Sequence, residues 1–224
     1  MTPDRRWTLR ALHRTSAIVL GCFLLLHVAN HVVGLAGQAE HIAFMHAARP
    51  IYRNVVIEPL LLFFLIWQAG SGLVMVVRGW RSRRGAVAWL QAGSGLYLAA
   101  FATIHVLAVL SGRLMLHLDT DFRFAAAGFH VPGWPWFFGP YYSLAVFALF
   151  AHVGCAIYWT MLAGKPHAGV TALRTMLIAG AVLGLLIISA LGGLLYPVEI
   201  PAPYKATYTG PSGSPLGSVT SSSN

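Results

Sequence analysis

His27, His105 and His152 are the residues of this chain best placed to do chemistry, because each interrupts a long apolar run. His27 lies in Leu24-Leu25-Leu26-His27-Val28-Ala29-Asn30-His31, His105 in Thr103-Ile104-His105-Val106-Leu107, and His152 in Leu149-Phe150-Ala151-His152-Val153-Gly154. An ionisable side chain in a lipid-embedded helix is costly and marks a functional site by default. Imidazoles that face one another inside a helix bundle are a usual means of holding haem iron. The competing role for any one of them is a hydrogen bond to a neighbouring helix or the lining of a water pocket. Two on different segments at similar depth favour a shared ligand.

The elements that must position these rings are membrane spans. Of the 224 residues 57% are hydrophobic and only 9% charged, whereas a soluble domain carries roughly 25% charge. The apolar residues fall in runs long enough to cross a bilayer, at about 15–35, 55–77, 86–110, 139–162 and 173–195. The fold class expected is therefore an all-α membrane protein, a haem-binding bundle of five transmembrane helices occupying residues 1–200. Residues 201–224, rich in Ser, Gly and Pro, read as a disordered tail. Gln38 to Arg49 reads as a short interfacial helix. Trp134, Trp136, Phe137 and Phe138 resemble an aromatic belt at the membrane surface.

The net charge of +9 does not indicate nucleic acid, because the charges cluster in short loops between apolar runs. With the N-terminus in the cytoplasm, ten of the fifteen Lys and Arg residues fall inside, which is the arrangement the positive-inside rule favours. The first apolar segment is too long for a signal peptide and no small-residue cleavage site follows it. The implied location is the cytoplasmic (inner) membrane of the cell, multi-pass, with the C-terminus outside. Cys22 and Cys155 both fall within spans and form no disulfide framework.

Helix rise converts position to depth. His27 lies about 20 Å from the inner end of the first span and His105 about 12 Å from the outer end of the third, so both occupy the outer half. His31 is one turn beyond His27 on the same face. Gln68 and His152 each lie roughly 15 Å from the inner end, which would let them face each other. Gln68-Ala69-Gly70-Ser71-Gly72-Leu73 recurs as Gln91-Ala92-Gly93-Ser94-Gly95-Leu96. This repeat implies either close helix packing through small residues or clearance for a flat cofactor. His41, His46, His117, His130 and His167 lie in loops, where solvated or interfacial roles are the default.

Three motifs carry a resemblance. His13-Arg14-Thr15-Ser16-Ala17 is followed ten residues on by His27; Trp89-Leu90-Gln91-Ala92-Gly93-Ser94-Gly95 is followed by His105; and Phe150-Ala151-His152-Val153-Gly154 stands in the fourth span. In order and spacing the chain resembles the cytochrome b membrane-anchor subunits of succinate dehydrogenase and fumarate reductase, in their five-span, single-polypeptide form. Ala17 replaces a glycine of the family pattern. The resemblance implies haem b held by His27 and His105, with His152 a candidate ligand of a second haem. The helix-two partner of that second haem falls on Gln68, a poor iron ligand, so one bis-histidine haem is expected.

The resemblance also implies a cytoplasmic flavoprotein subunit and an iron–sulfur subunit as partners, with electrons passing between them and membrane quinone. The chain has no nucleotide-binding glycine fingerprint and too few cysteines for a cluster, so it would not itself act on the dicarboxylate. His13, Arg14 and Ser16 are candidate quinone contacts at the inner surface. Glu58, at the outer start of span two, is either a proton acceptor or a helix N-terminal charge. The rival classes are a b-type cytochrome subunit of another respiratory complex, of hydrogenase or nitrate reductase type, and a haem-free structural anchor.

Overall fold

The computed structural model of the protein describes residues 8–160 and 164–209. Among them there are five helices long and apolar enough to cross a membrane: α1 (Leu9–Val33), α3 (Ile57–Gly79), α4 (Ala86–Leu114), α6 (Pro135–Thr160) and α7 (Pro166–Leu191). The described residues also form three shorter α-helices, α2 (Gln38–Tyr52), α5 (Phe122–Ala126) and α8 (Ala202–Lys205), and two single 3-10 turns, Ala127–His130 and Ala206–Tyr208. The protein is an all-α, multi-pass membrane protein. In hydrocarbon every backbone N–H and C=O must be satisfied within its own segment, and a helix does this. The side chains turned outward agree with that solvent: Leu25 is 75% exposed and Ile66 74%.

Local chemistry sets the ends. The Thr8 hydroxyl accepts from the amide of Ala11 and caps α1. Pro166 starts α7, where its missing N–H costs nothing. Gly85, at φ 82°, makes the turn into α4 that other residues would adopt only under strain.

Packing within the bundle is uneven. α6 and α7 lie closest, followed by α4 with α6 and α1 with α3. A Cβ at Gly184 would stand 3.0 Å from the carbonyl oxygen of Ser143, and one at Gly180 2.6 Å from Phe150, so the Gly-x-x-x-Gly pair of α7 lets two backbones touch. α1 and α4 do not pack closely, and the space between them is where the histidines meet.

The end of the bundle away from the N-terminus carries a folded cap. Phe122, Ala126, Ala127, Ile187, Leu191, Ile200 and Tyr204 form a buried apolar cluster there. The Tyr196 hydroxyl donates to the carbonyl of Gly34, and the Gln38 side chain pairs with the backbone of Glu199. Residues 201–209, expected within a disordered tail, are therefore ordered: Tyr204 is buried and the Trp134 indole donates to the carbonyl of Tyr208. Burial of aromatic surface outweighs the local polar composition. The remainder of that tail, 210–224, lies outside the described residues. The expected interfacial helix forms as α2. Cys155 is buried, but Cys22 faces outward on α1.

The cap also gathers the acids. Arg49 makes a two-pronged bond to Asp119, Arg53 donates to Thr120, Arg113 pairs with Glu58 at 2.6 Å, and Arg123 pairs with the buried Asp121. Partial burial pushes the Asp119 carboxyl up, but hydrogen bonds from Arg49 and the charges of Arg49 and Arg53 outweigh it and hold it below its ordinary value. At the opposite end, among the described residues, no arginine has a carboxylate partner; Arg83 instead lies over Trp89, 5.2 Å from its ring centre.

Candidate functional site

The site is built from α1 and α4 in the half of the bundle nearer the cap. His27 and His105 approach with ring centres 6.1 Å apart and planes inclined at 65°. His105 stacks on Phe101, one turn earlier on α4, and His27 on Phe23, one turn earlier on α1. These i, i+4 neighbours pack against the ring faces. Neither His27, His31 nor His105 makes a hydrogen bond with the described residues. An imidazole nitrogen lies about 2 Å from a coordinated first-row metal. Two rings on opposite sides of one ion then have centres roughly 6 Å apart, so the observed spacing suits a shared metal ion.

His31 follows on the next turn, 4.9 Å from His27, and leads to His41 on α2 at 5.3 Å. The Asn30 amide bonds to Nε2 of His41 at 3.2 Å, while Asn30 Oδ1 and His41 Nδ1 are buried without a partner. A Cβ at Gly34 would come within 2.9 Å of the His41 ring, so α2 folds back this tightly only because residue 34 has no side chain. Burial first, then the neighbouring His27, lower the His41 pKa to about 4 against the pull of Asp121. Sequence reasoning treated His41 as an ordinary loop histidine. Its place after a Gly-rich turn was the available signal that it returns toward His31.

A second polar level lies nearer the N-terminal end, and its pairing differs from the one expected. Gln68 does not bond to His152. Its Oε1 accepts from Ser16 at 2.6 Å, which leaves its amide to donate to Nε2 of His13 at 2.9 Å. Nδ1 of His13 then donates to Ser71 at 2.7 Å, and Ser71 donates to the Gln68 carbonyl. His152 instead directs Nδ1 at the carbonyl of Gln91, 3.1 Å away, and at Ser94, 3.3 Å away. Gln68 and Ser71 share one face of α3, and that face looks at α1 rather than α6.

The structure thus brings His27 to His105, and His13 and Ser16 to Gln68. It leaves Arg14 exposed and without a hydrogen bond among the described residues. Glu58, in the first turn of α3, is bound to Arg113. Comparison with protein-family models, curated proteins and solved structures finds no match.

Proposed function

We propose that this chain is a haem-carrying cytochrome b membrane-anchor subunit of a succinate:quinone oxidoreductase, with His27 and His105 as axial ligands of haem b. The observation that carries the reading is the pair itself: two imidazoles on different spans, without hydrogen-bond partners among the described residues, at a spacing that admits one ion. Leaving several imidazoles unsatisfied in an apolar interior costs about 1–3 kcal/mol each, a cost that coordination would remove. Among the described residues no cluster of three or more His, Cys, Asp or Glu side chains has a metal-site arrangement. A porphyrin brings four nitrogens of its own, so its iron would need only the two that His27 and His105 offer. When bound, haem supplies one-electron transfer across the bundle.

The other parts of the reading follow from charge and exposure. Among the described residues the arginines at the N-terminal end lack carboxylate partners, whereas Arg49, Arg113 and Arg123 of the cap are each paired with one. This contrast supports a cytoplasmic N-terminus facing a flavoprotein and an iron–sulfur subunit. Quinone is placed beside the exposed Arg14, whose guanidinium can donate to a carbonyl oxygen, since His13 and Ser16 are engaged with Gln68.

The test is a reduced-minus-oxidised absorbance spectrum of the purified chain. A b-type signal that His27→Ala and His105→Ala each abolish supports the assignment, and no signal leaves a haem-free anchor. Co-purification of a flavin-containing subunit separates this complex from hydrogenase- or nitrate reductase-type assemblies. Labelling of Ser212→Cys by an impermeant reagent in intact cells, with Cys22 and Cys155 replaced, tests the orientation.

A further inference from the structure

A small cavity of about 10 Å³ lies between α1 and α2, against the ring of His27. Its polar wall is His27, Asn30 and Tyr52; its apolar wall includes Phe23, Met45 and Ala48. Asn30, Met45 and Ala48 are buried. The volume is about that of one water-sized sphere, and a buried water is stable where roughly two to four polar groups converge on it.

Two residues of this wall carry polar atoms with nothing to bond. The amide Nδ2 of Asn30 is taken by Nε2 of His41 at 3.2 Å, which leaves Asn30 Oδ1 buried and unpartnered. His27, three residues earlier on the same face of α1, makes no hydrogen bond with the described residues, and none joins it to Asn30 directly. Coordination would occupy one nitrogen of His27 and leave the other as an N–H. Histidines that ligate metals nearly always donate that N–H to a carboxylate, a carbonyl or a water, which fixes the ring and raises its basicity. A water in the cavity meets both needs, since it accepts from an N–H and donates to a carbonyl oxygen. His41 holds the Asn30 amide from the other side, so α2 sets the direction of the acceptor.

We propose that this cavity binds one water molecule, which accepts from the ring N–H of His27 and donates to Asn30 Oδ1, making Asn30 a positioning residue for the haem ligand. The proposal rests on the cytochrome reading above, and its experiment separates the two. The purified full-length chain is titrated spectroelectrochemically, and crystals of it are examined for density in the cavity. A more basic imidazole favours the ferric state, so losing the bond should favour the ferrous one. Asn30→Leu removes the acceptor; Ala48→Val fills the cavity from α2 and leaves His27 and Asn30 as they are. Each should keep the low-spin spectrum, which reports that the bundle has folded. Each should also shift the reduction equilibrium toward the ferrous form by roughly tenfold, about 59 mV for one electron. His41→Gln, whose amide can still hold Asn30, should leave the potential close to that of the parent. Crystals of the parent should show one density peak within hydrogen-bond reach of Asn30 Oδ1, and crystals of Ala48→Val none. An unshifted potential in either variant would overturn the proposal, as would an equal shift in His41→Gln or a dry cavity in the parent. If only one of the two variants folds, that one decides. A chain without haem would defeat the cytochrome reading and with it the role of Asn30, whereas a haem-loaded chain with a dry cavity defeats the proposal alone.

Discussion

His27 and His105 face each other at 6.1 Å across the gap between α1 and α4, where the two helices do not pack closely. The α6–α7 pair, by contrast, is held together by glycine-scale contacts. Filling the gap between α1 and α4 with apolar side chains would have been the simpler solution in lipid. Instead it holds rings whose nitrogens find no hydrogen-bond partner among the described residues.

His31 gives this pair its sharpest control. It lies one turn from His27, and its ring stands 4.9 Å from that of its neighbour. Replacing His27 or His105 with Ala should reduce the low-spin haem signal to background, whereas His31→Ala should retain most of it with a shifted reduction potential. The check is haem absorbance per chain in the three variants. Loss in His31→Ala with retention in His27→Ala would move the ligand by one turn.

Depth was legible in the sequence, and azimuth was not. Helix rise alone places His27 and His105 at one level, and the structure brings them together. The same arithmetic put Gln68 opposite His152, but depth does not say which way a side chain points around its helix. Ser71, three residues after Gln68, turns the polar face of α3 toward His13. The cap was the least legible part, because Asp119 and Tyr204 acquire their partners only when distant segments meet, Asp119 from Arg49 and Tyr204 in the cluster with Phe122 and Leu191. A polar, Pro-rich stretch after Leu195 therefore read as tail although Tyr204 is 7% exposed.

Gly95, against the His152 ring, and Gly72, against the His13 ring, should respond differently to one methyl group. At Gly95 a Cβ would lie 2.9 Å from the anchored His152 ring, whereas at Gly72 the contact with His13 is an ordinary 3.4 Å. Gly95→Ala should cost about 1–3 kcal/mol, while Gly72→Ala should be close to neutral. Thermal melts of the two variants in the same detergent give the comparison; equal stability would mean that the His152 ring is not held in place.

Glu58 can be separated into its two roles by measuring them apart. Its pair with Arg113 is partly buried, with the two side chains 29% and 26% exposed. Glu58→Gln should destabilise the chain by about 1 kcal/mol, and the loss should shrink when Arg113 is also changed to Gln. A purely structural carboxylate leaves the pH profile of quinone reduction unchanged in the single variant. A shifted profile with unchanged stability would make Glu58 the proton acceptor instead.

His41 predicts how the cap fails in acid. Its folded pKa is near 4, lowered by burial and by His27, against 6.5 for a free imidazole. Between those values the unfolded chain binds a proton that the folded chain refuses, so stability rises with pH across the window. The contribution is fully present above pH 6.5 and falls away as the pH drops toward 4, a loss on the order of 3 kcal/mol. Below that both states are protonated and no further loss comes from this residue. His41→Gln cannot take up the proton, yet its amide can still meet Asn30. Melting temperatures measured from pH 7.5 to 4 should fall less steeply for the variant than for the parent. Parallel curves would show that the acid sensitivity of the chain lies elsewhere, and that the unpartnered Nδ1 of His41 is reached by water.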